Sequence, residues 1–503
     1  MKEDEINKIR KYIEENTRNT NISGIPYLDF NGNKNSILAK QNTVIFGRRG
    51  SGKSTLLGEI KKEKLIYIDI NLEDYKNISF PNVIIKVLEC IFKNIETEIT
   101  KKRFYFFDKE SRKCKKEISD ILKSLNNLYA EDDYYEEDVR NRIQDEVELE
   151  GSSGVKTKPL EGNVRSKIKE TEENTTQRKK QFIKLEKLRK NIVDYKTKLV
   201  SACKLVYTDK PIYILLDDFY FISINNQPYL VDILHVLTKG TQIYLKLASR
   251  KQKSKLYIAD NTTFQGIEIG HDATEIDLDY SLENMSNTTK FFSNLLNKIF
   301  SEVNVSIKIE DIITKDAFSQ LCLASGGITR DFLIILSKCL SELIIEPGSK
   351  IGKEIVNAQA ISNISSKYRS LSNDIINDNN KLEMCLESIK DEVLVNKRTN
   401  CFLIQKKELE NYQLARNAIQ ELFDLRFIHL INKSTSCAPS DRQMYEAYIL
   451  DVGLYDFIRL RDFKQIEPDY SDNRSRKDDM RSSPKISLKK LTDLLKNEEK
   501  CYV

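Results

Sequence analysis

The sequence is poor in residues that interrupt helices and in the patterns that identify membrane or secreted proteins. Its 503 residues include only 17 glycines and 9 prolines, so long helices are favoured. No apolar run is long enough to span a membrane. The first residues, MKEDEINKIRKYIEE, are charged and amphipathic and lack the apolar core of a signal peptide. We therefore expect a cytoplasmic protein without a membrane segment.

Metal-binding and disulfide patterns are also missing. None of the nine cysteines forms a CxxC pair, and the three histidines, His235, His271 and His429, lie far apart in the sequence. This spacing favours buried, reduced thiols and argues against a zinc site. The net charge of +5 is too small to indicate nucleic-acid binding by itself. The length allows about two to four domains with a sizeable core.

One motif dominates what is present, the stretch TVIFGRRGSGKSTLL at residues 43–57. It contains Gly47-x-x-x-x-Gly52-Lys53-Ser54, the P-loop pattern, between a short apolar strand and a helix. The glycines let the backbone curl so that N–H groups point at phosphate oxygens, and the helix N-terminus adds positive charge. Lys53 can reach the β- and γ-phosphates, while the Ser54 hydroxyl can bind Mg²⁺. The predicted nucleotide-binding residues are Gly47, Arg48, Arg49, Gly50, Ser51, Gly52, Lys53, Ser54 and Thr55.

A second buried strand ends in two acidic residues, in PIYILLDDFYF at residues 211–221. Its continuous apolar run is typical of a central parallel strand, and an acid at the end of such a strand would face the P-loop. Asp217 is predicted to hold Mg²⁺ through water, and Asp218 to orient or deprotonate the attacking water. The alternative is a buried strand that ends in solvated acids.

Two further motifs end in arginine. QIYLKLASR at residues 242–250 predicts another strand, followed by Ser249 and Arg250. GGITR at residues 326–330 precedes an apolar stretch, so that Arg330 opens a helix. From the residues alone, Arg250 could belong to a solvated run of Lys and Arg, and Arg330 could pair with a carboxylate at the helix start.

In this order, GRRGSGKST, LLDD, LASR and GGITR resemble the motifs of AAA+ ATPases of the origin-recognition and replication-initiator kind. They are equally similar to the related STAND signalling ATPases. The resemblance covers residues 22–345 without residues 105–205, and then the C-terminal module. It implies that the strand ending at Ser249 lies between the P-loop strand and the Walker B strand, which is the strand that ends at Asp217. It further implies that Ser249 or Arg250 senses the γ-phosphate. It also implies that Arg330 neutralises γ-phosphate charge from a helical lid.

The sequence departs from this family in two ways. The second acid after the Walker B strand is Asp218, where most AAA+ proteins have Glu, and this is closer to STAND usage. We therefore expect slow rather than fast ATP hydrolysis. The second departure is a long charged insertion at residues 105–205, which is not part of the common core.

The insertion carries two heptad-like apolar seams, at residues 118–129 and 185–199. Between them lie an acidic stretch, residues 131–150, and a polar segment, residues 151–180. This pattern predicts an antiparallel helical hairpin with a mobile tip, on which a partner protein could dock. The alternative is two ordinary helices packed on the core. The seam residues are Ile118, Leu122, Leu125, Tyr129, Leu185, Leu188, Ile192, Tyr195 and Leu199.

Residues 381–460 alternate as helix, strand, helix, helix, strand and strand, the order of a winged helix, which the resemblance also implies at this place. The recognition helix, QLARNAIQELFDL, offers polar side chains to DNA but also carries Glu421 and Asp424, a poor match to phosphates. Binding of a protein is therefore the alternative to binding of DNA. The polar side chains of this helix are Arg416, Asn417 and Gln420.

Together these patterns predict an α/β fold, a P-loop NTPase with a parallel sheet of the additional-strand class, a helical lid, an inserted helical hairpin and a C-terminal winged-helix domain. The predicted domains, in chain order, are an N-terminal helix and approach segment (1–42), the ATPase αβ domain (43–280) interrupted by the insertion (105–205), the lid (281–354), a linker (355–380), the winged helix (381–460) and a mobile tail (461–503).

The predicted function is an ATP-driven switch that uses Mg²⁺, with Lys53, Asp218, Arg250 and Arg330 in the catalytic roles. Nucleotide state would move the winged helix and the hairpin, in DNA loading or in antiphage defence. The alternatives are a DNA-binding scaffold with negligible turnover and a subunit that recruits a partner. DNA, an effector protein and a second copy of the chain are the candidate partners. No nuclease, protease, methylase or nucleotidyltransferase motif is visible.

Overall fold

The computed structural model describes residues 2–18, 25–29, 32–63, 65–101, 108–131, 162–259, 264–279, 282–346, 348–374, 379–455, 463–468 and 474–501. The elements in these ranges form a part built on a parallel sheet, a bundle of helices and a C-terminal α/β unit. Within the same ranges, no helix combines the length and the apolar content that crossing a bilayer requires.

A parallel sheet forms the centre of the nucleotide-binding part. The strands of this part are β1 (Thr43–Phe46), β2 (Ile66–Asn71), β3 (Ile212–Asp217), β4 (Ile243–Ser249), the pair β5 (Tyr257–Ala259) and β6 (Phe264–Gly266), and β7 (Thr274–Asp277). Five of them pair in the order β2-β3-β4-β1-β7, and every pairing is parallel. β4 therefore lies between the P-loop strand β1 and the Walker B strand β3, as predicted. The predicted fold class, a P-loop NTPase sheet of the additional-strand class, is confirmed.

Alternate residues of the strands feed two cores, one on each face of the sheet. On β3, Ile212 and Ile214 enter the larger core, together with the helices between residues 82 and 238. Tyr213 and Leu215 enter the smaller core, together with the helices at residues 33–38 and 53–62. A strand buried on both faces needs an uninterrupted apolar run, which is what the sequence has. The helices before the lid are α1 (Lys2–Arg18), α2 (Asn33–Leu38), α3 (Lys53–Lys62), α4 (Asn82–Lys101), α5 (Lys109–Ala130), α6 (Gly162–Tyr207) and α7 (Gln227–Thr238).

Helices α5 and α6 form the antiparallel pair predicted for the insertion. Lys187 Nζ donates to Glu131 Oε2 at 2.6 Å, and Ser124 Oγ lies 3.3 Å from Tyr195 Oη further along the pair. Their apolar seams are buried in the same core as the strands of the sheet. The alternative, two helices packed on the core, therefore holds for the described base of the hairpin. Most of the predicted tip, residues 132–161, lies outside the described residues.

Four helices form the part predicted as a lid: α8 (Met285–Glu302), α9 (Ile309–Ile312), α10 (Lys315–Ala324) and α11 (Thr329–Ile345). Phe292 of α8 stacks on Phe332 of α11 with ring centroids 4.0 Å apart. The N-terminal helix α1 joins this core through Ile9 and Ile13, which are fully buried. Helix α1 therefore packs on the lid helices, whereas the predicted boundaries grouped it with the segment before β1.

The predicted linker at residues 355–380 is largely a helix, α12 (Lys353–Asp374). Val356, Ala360 and Ile364 recur every four residues, which gives the helix one apolar face. Val356 and Ala360 enter the lid core, and Ile364 packs on the core of the C-terminal unit. This segment, predicted as a linker between the lid and the last domain, is therefore a helix that packs on both cores.

The C-terminal unit has the element order predicted for residues 381–460. Helix α13 (Asn379–Lys390), which a π-helical segment continues, is followed by β8 (Cys401–Gln405), α14 (Lys406–Asn411), α15 (Gln413–Asp424), β9 (Ile428–Thr435) and β10 (Tyr445–Leu450). The three strands form an antiparallel sheet in the order β8-β10-β9. Helix α15, the predicted recognition helix, buries its apolar face on this sheet.

Residues 461–503, predicted as a mobile tail, instead contain two packed helices, α16 (Arg474–Arg481) and α17 (Leu488–Cys501). The segment between them lies beside β8, where Leu403 N–H donates to Pro484 O at 2.8 Å and Ile486 N–H donates to Leu403 O at 2.9 Å. Leu488, Leu491 and Leu495 of α17 are buried in the core of the C-terminal unit. The sequence predicts a short basic helix over residues 488–496, and the spacing of these leucines by three and four residues gives it one apolar face.

Candidate nucleotide site

The P-loop connects β1 to α3 and has the backbone of a phosphate-binding loop. Gly50 and Gly52 have φ values of 88° and 99°, which side-chain-bearing residues rarely adopt. A Cβ on Gly47 would lie 2.2 Å from Ser51 Oγ, so the first glycine is required for close packing within the loop. Ser51 Oγ is buried and has no hydrogen-bond partner among the described residues. A buried hydroxyl without a partner is a group that a ligand oxygen could satisfy.

Lys53 is the first residue of α3 and lies inside the loop. Its Nζ donates to Gly47 O at 2.8 Å and to Arg48 O at 3.1 Å. Burial lowers the pKa of Lys53, and the nearby acids, Asp279 first, oppose that effect. The ammonium group is therefore held by neutral carbonyl groups at the position from which it can reach a phosphate. Ser54 and Thr55 follow in the first turn of the same helix.

The Walker B acids lie beside the P-loop helix, as predicted. The Ser54 hydroxyl lies close enough to the Asp217 carboxylate to oppose the rise in its pKa. Burial and the neighbouring Asp218 raise the pKa of Asp217, because a second negative charge in a buried place is unfavourable. Asp218 has a left-handed backbone with φ of 53°, which turns it away from the strand direction.

The residues present fit Mg²⁺, since a divalent cation beside Ser54 and Asp217 would relieve the repulsion between the two carboxylates. Within the described ranges, no three His, Cys, Asp or Glu side chains converge as metal ligands. An ion at Ser54 and Asp217 would therefore take its other ligands from water and phosphate oxygens, which is the usual mode for Mg²⁺.

The two sensor candidates at the end of β4 lie at the same edge of the sheet. Ser249 is fully buried, and its Oγ is 2.5 Å from Ser254 Oγ. The Arg250 guanidinium lies over the Tyr220 ring, 4.0 Å from its centroid. Burial raises the pKa of Tyr220 to about 12, so the ring is neutral and serves as a cation–π platform. Tyr220 was missed in the sequence, although it follows the Walker B acids by two residues.

Arg330 begins the lid helix α11 directly against the P-loop. Its backbone N–H donates to Gly50 O at 3.2 Å, and a Cβ on Gly50 would lie only 2.6 Å from the Arg330 Cβ. Burial lowers the pKa of Arg330, and the positive charges of Arg49 and Arg426 lower it further. Several cations therefore crowd one end of the P-loop, which is an arrangement that a polyphosphate would stabilise.

Arg48, predicted as one of the nucleotide-binding residues of the loop, directs its side chain to other parts of the chain. Its guanidinium is buried away from the phosphate-binding backbone, where Nη2 donates to Gly326 O at 2.9 Å and Nη1 lies 3.3 Å from His429 Nδ1. The guanidinium also lies 4.6 Å from the centroid of the Phe423 ring. The Arg48 backbone N–H donates to Asp279 Oδ1 at 2.8 Å. Arg48 therefore joins the P-loop to the lid and to the C-terminal unit, and the neighbouring Arg49 is the exposed arginine of the loop.

The acidic end of the recognition helix α15 lies against the basic residues after β4. Glu421 Oε1 pairs with Lys253 Nζ at 2.6 Å. Burial raises the pKa of Asp424 to about 6, and the positive charge of Arg250 is the main opposing influence. These two acids made α15 a poor match to DNA phosphates in the sequence. Their partners in this structure are basic residues of the nucleotide-binding part, which no local sequence pattern could indicate.

No protein-family model matches the sequence, and no curated protein matches it. Comparison with solved structures gave matches over most of the chain, each at low sequence identity and a low TM-score. The ORC2 protein of Aeropyrum pernix, in ADPNP and ADP complexes, has 11% identity and a TM-score of 0.36, with 98% of this chain and 99% of that chain covered.

A Walker-type ATPase of Pyrococcus abyssi has 12% identity and a TM-score of 0.36, with 90% of this chain and 94% of that chain covered. The Aeropyrum pernix ORC1 protein in complex with DNA has 10% identity and a TM-score of 0.32, with 91% of this chain and 92% of that chain covered. At these scores the similarities do not establish a shared activity. The chain is therefore similar to origin-recognition ATPases in its motifs and their order, and its nucleotide site is assigned from its own geometry.

Proposed function

We propose that this protein is an ATP-binding switch that hydrolyses ATP slowly. The observation that carries the proposal is the convergence of four motifs at one edge of the sheet. The P-loop, the Ser54–Asp217 pair, Arg250 over Tyr220, and Arg330 against Gly50 all lie where β1, β3 and β4 end. Ligands of open α/β sheets bind at the carboxyl ends of the strands.

The binding step uses groups that are already in position. The loop N–H groups and the N-terminus of α3 would receive the phosphates. Lys53 would exchange its carbonyl partners for phosphate oxygens, and Ser54 and Asp217 would hold Mg²⁺ through water. Bound Mg²⁺ supplies charge neutralisation at the phosphate oxygens. Arg330 would donate charge-assisted hydrogen bonds to the γ-phosphate from the lid.

The hydrolytic step is assigned to Asp218, which would orient the attacking water and accept its proton. Aspartate is one methylene shorter than the glutamate that is usual at this position, so its carboxylate reaches less far toward the γ-phosphate. Arg250 would stabilise the charge that develops there. Slow turnover suits a switch in which the lifetime of the ATP state controls the position of the lid and of the C-terminal unit.

The partners of the switch belong to the same proposal. The element order of the C-terminal unit supports a winged helix, with DNA as its ligand, and the α5–α6 hairpin is proposed to bind an effector protein. A homo-oligomer is a third arrangement. The favoured setting is cytoplasmic antiphage defence or a DNA transaction, and a neighbouring effector gene or a neighbouring replication origin would distinguish the two.

A scaffold that binds ATP with negligible turnover is the second candidate, favoured by the aspartate at position 218 and by the packing of α15 against the nucleotide-binding part. Calorimetry and phosphate release, measured with and without duplex DNA, separate the two. The switch predicts ATP binding, slow phosphate release and a change in rate when DNA is added. Lys53→Ala should lose at least about 3 kcal/mol of ATP binding free energy, because its charged hydrogen bonds are removed. Unchanged ATP affinity in this variant would contradict the P-loop assignment.

A further inference from the structure

Arg48 belongs to the P-loop by sequence but to a buried junction by position. Only 4% of it is exposed. The groups that it contacts, Gly326 O, His429 Nδ1 and the Phe423 ring, come from the lid and from two elements of the C-terminal unit. An arginine in a phosphate-binding loop would ordinarily point toward the ligand or into solvent, so its use as a contact between three parts of the chain needs an explanation.

The hydrogen bonds of His429 define its protonation state. A guanidinium group has donors but no acceptor, so His429 Nδ1 must accept from Arg48. The proton therefore resides on Nε2, which donates to Asp451 Oδ2 at 2.9 Å. Burial lowers the pKa of His429 to about 4, which is consistent with this neutral tautomer. The imidazole also packs on the lid, since a Cβ on Gly326 would lie 2.1 Å from its Cε1.

The chain of contacts continues from Asp451 back toward the P-loop. Lys367 Nζ of α12 lies 2.6 Å from Asp451 Oδ2 and 3.6 Å from Asp331 Oδ2. Arg426 Nη1 donates to Asp331 Oδ1 at 2.6 Å. Asp331 follows Arg330, whose backbone N–H donates to Gly50 O. We call this chain, from Arg48 through His429, Asp451, Lys367 and Asp331 to Arg330 and Gly50, the buried circuit.

The buried circuit leaves the P-loop at Arg48 and returns to it at Gly50, two residues later. At least nine-tenths of each of the following side chains is buried: Arg48, His429, Asp451, Lys367 and Asp331. A buried charge that loses its partner costs far more free energy than a paired one. Breaking one contact of the circuit therefore destabilises the charges that remain. The conformation of residues 48–50 and the docking of the C-terminal unit are therefore tied to each other.

We propose that His429 is a positioning residue for the P-loop. Through Arg48 it holds residues 48–50 in the conformation that receives the phosphates, so that nucleotide binding and docking of the C-terminal unit favour each other. The coupling between docking and nucleotide binding is positive, because the docked structure already has Gly50 and Gly52 in their left-handed conformations and Lys53 inside the loop. By reciprocity, ATP bound at the P-loop must stabilise docking by the factor by which docking strengthens ATP binding. The inference rests on the proposed ATP-binding function.

The test is a double-mutant cycle of Arg48→Met and His429→Phe in the full-length protein, with the dissociation constants of ATP and ADP measured by calorimetry. Each single variant should bind both nucleotides about tenfold more weakly. The double variant should be no weaker than either single variant, because the two side chains act through one contact. If His429→Phe does not fold, Arg48→Met and the milder His429→Gln test the same contact from both sides.

A second readout separates positioning from a general loss of stability. ATP should slow proteolytic separation of the C-terminal unit in the wild type and have no such effect in His429→Phe. The matched control is His235→Phe, the same substitution at a partly buried histidine of α7, and it should leave nucleotide affinity and ATP protection unchanged.

Two results overturn the inference in distinguishable ways. A folded His429→Phe variant with wild-type nucleotide affinity, or with full ATP protection, overturns the positioning role alone and leaves the proposed function in place. A wild-type protein that binds no ATP overturns the proposed function and the positioning role together. Additive losses in the double variant would show that Arg48 and His429 act separately, which also contradicts the proposal.

Discussion

Two adjacent sets of buried charges differ in whether their partners favour the charged forms. One is the nucleotide edge, the end of the parallel sheet with Lys53, Asp217 and Asp218, and the other is the buried circuit. At the nucleotide edge, burial disfavours the charged forms: the pKa of Lys53 is lowered and that of Asp217 is raised. At Asp451 of the buried circuit the partners are strong enough to reverse that effect. Lys367 and His429 lower the pKa of Asp451 to about 2, although burial acts to raise it.

The difference distinguishes buried charges that a bound ligand would stabilise from buried charges that are already stabilised by partners within the fold. A buried ionisable group whose pKa is shifted against its charged form would be stabilised by an external ion of opposite sign, and such groups concentrate at functional sites. A group whose charged form is favoured already has its partner within the fold. Substitutions at the nucleotide edge should therefore change ligand binding or turnover, and substitution of Asp451 in the circuit should change stability first.

The largest expected effect is on stability, from Asp451→Ala. It leaves Lys367 as a buried cation with a poorer partner and removes the acceptor of His429 Nε2. Removing one partner of a buried pair costs about 3–5 kcal/mol of the free energy of unfolding. Denaturant unfolding, followed at a fixed nucleotide concentration, measures the loss.

Asp478→Ala provides the control for that prediction. Asp478 Oδ1 lies 3.5 Å from Arg481 Nη1 in the same C-terminal unit, and the carboxylate is exposed. Exposed pairs contribute little, so the midpoint of unfolding should stay at its wild-type value. Equal losses in the two variants would show that burial does not distinguish the circuit from the surface.

The second prediction concerns turnover at the nucleotide edge, in Asp218→Asn. The amide cannot accept a proton from water, so phosphate release should fall about 10²- to 10⁴-fold while Mg-ATP binding is kept. Asp209→Asn, in the exposed turn between α6 and β3, should leave both quantities unchanged. Wild-type turnover in Asp218→Asn would remove the assignment of Asp218 as the activating acid.

The same contrast explains how much the sequence could predict. The P-loop and the Walker B acids depend on short motifs whose physics is local, whereas the order of the sheet and the placement of Arg250 and Arg330 were implied by the family resemblance. A glycine loop after an apolar strand needs no knowledge of the rest of the chain. Even Asp218, which departs from the resemblance, stands where the strand pattern required an acid.

What the sequence could not predict depends on contacts between distant segments. Arg48 and His429 are separated by 381 positions, and nothing near either residue indicates the other. The base of the hairpin, helix α12 and helix α17 were predicted only as parts of an insertion, a linker and a tail, because no local pattern shows which core their apolar residues enter. Each still has one apolar face, and a single face suffices for a helix that packs on one side.

The third prediction separates ATP from ADP at Arg330. Arg330→Ala keeps the backbone bond to Gly50 O and the Cβ contact with Gly50, so only the guanidinium is removed. If that group bonds the γ-phosphate, ATP should lose about 1–3 kcal/mol more affinity than ADP. Arg442→Ala, at an exposed position, is the control. An equal loss for both nucleotides would make Arg330 a helix-opening residue without a sensing role.

The smallest effect is expected from removal of the tip of the insertion. The buried residues described for α6 begin at Lys184 and Leu185, and the seam on α5 ends before Glu131. Replacing residues 131–178 with a short linker removes no described core contact, apart from the exposed pair between Glu131 and Lys187. The melting temperature and the ATP affinity should therefore stay at their wild-type values. A matched deletion of residues 118–199 removes both seams from the core of the sheet and should abolish folding. If the shorter deletion destabilises the protein as the longer one does, the tip contributes to the core and cannot be a separate docking element for a partner.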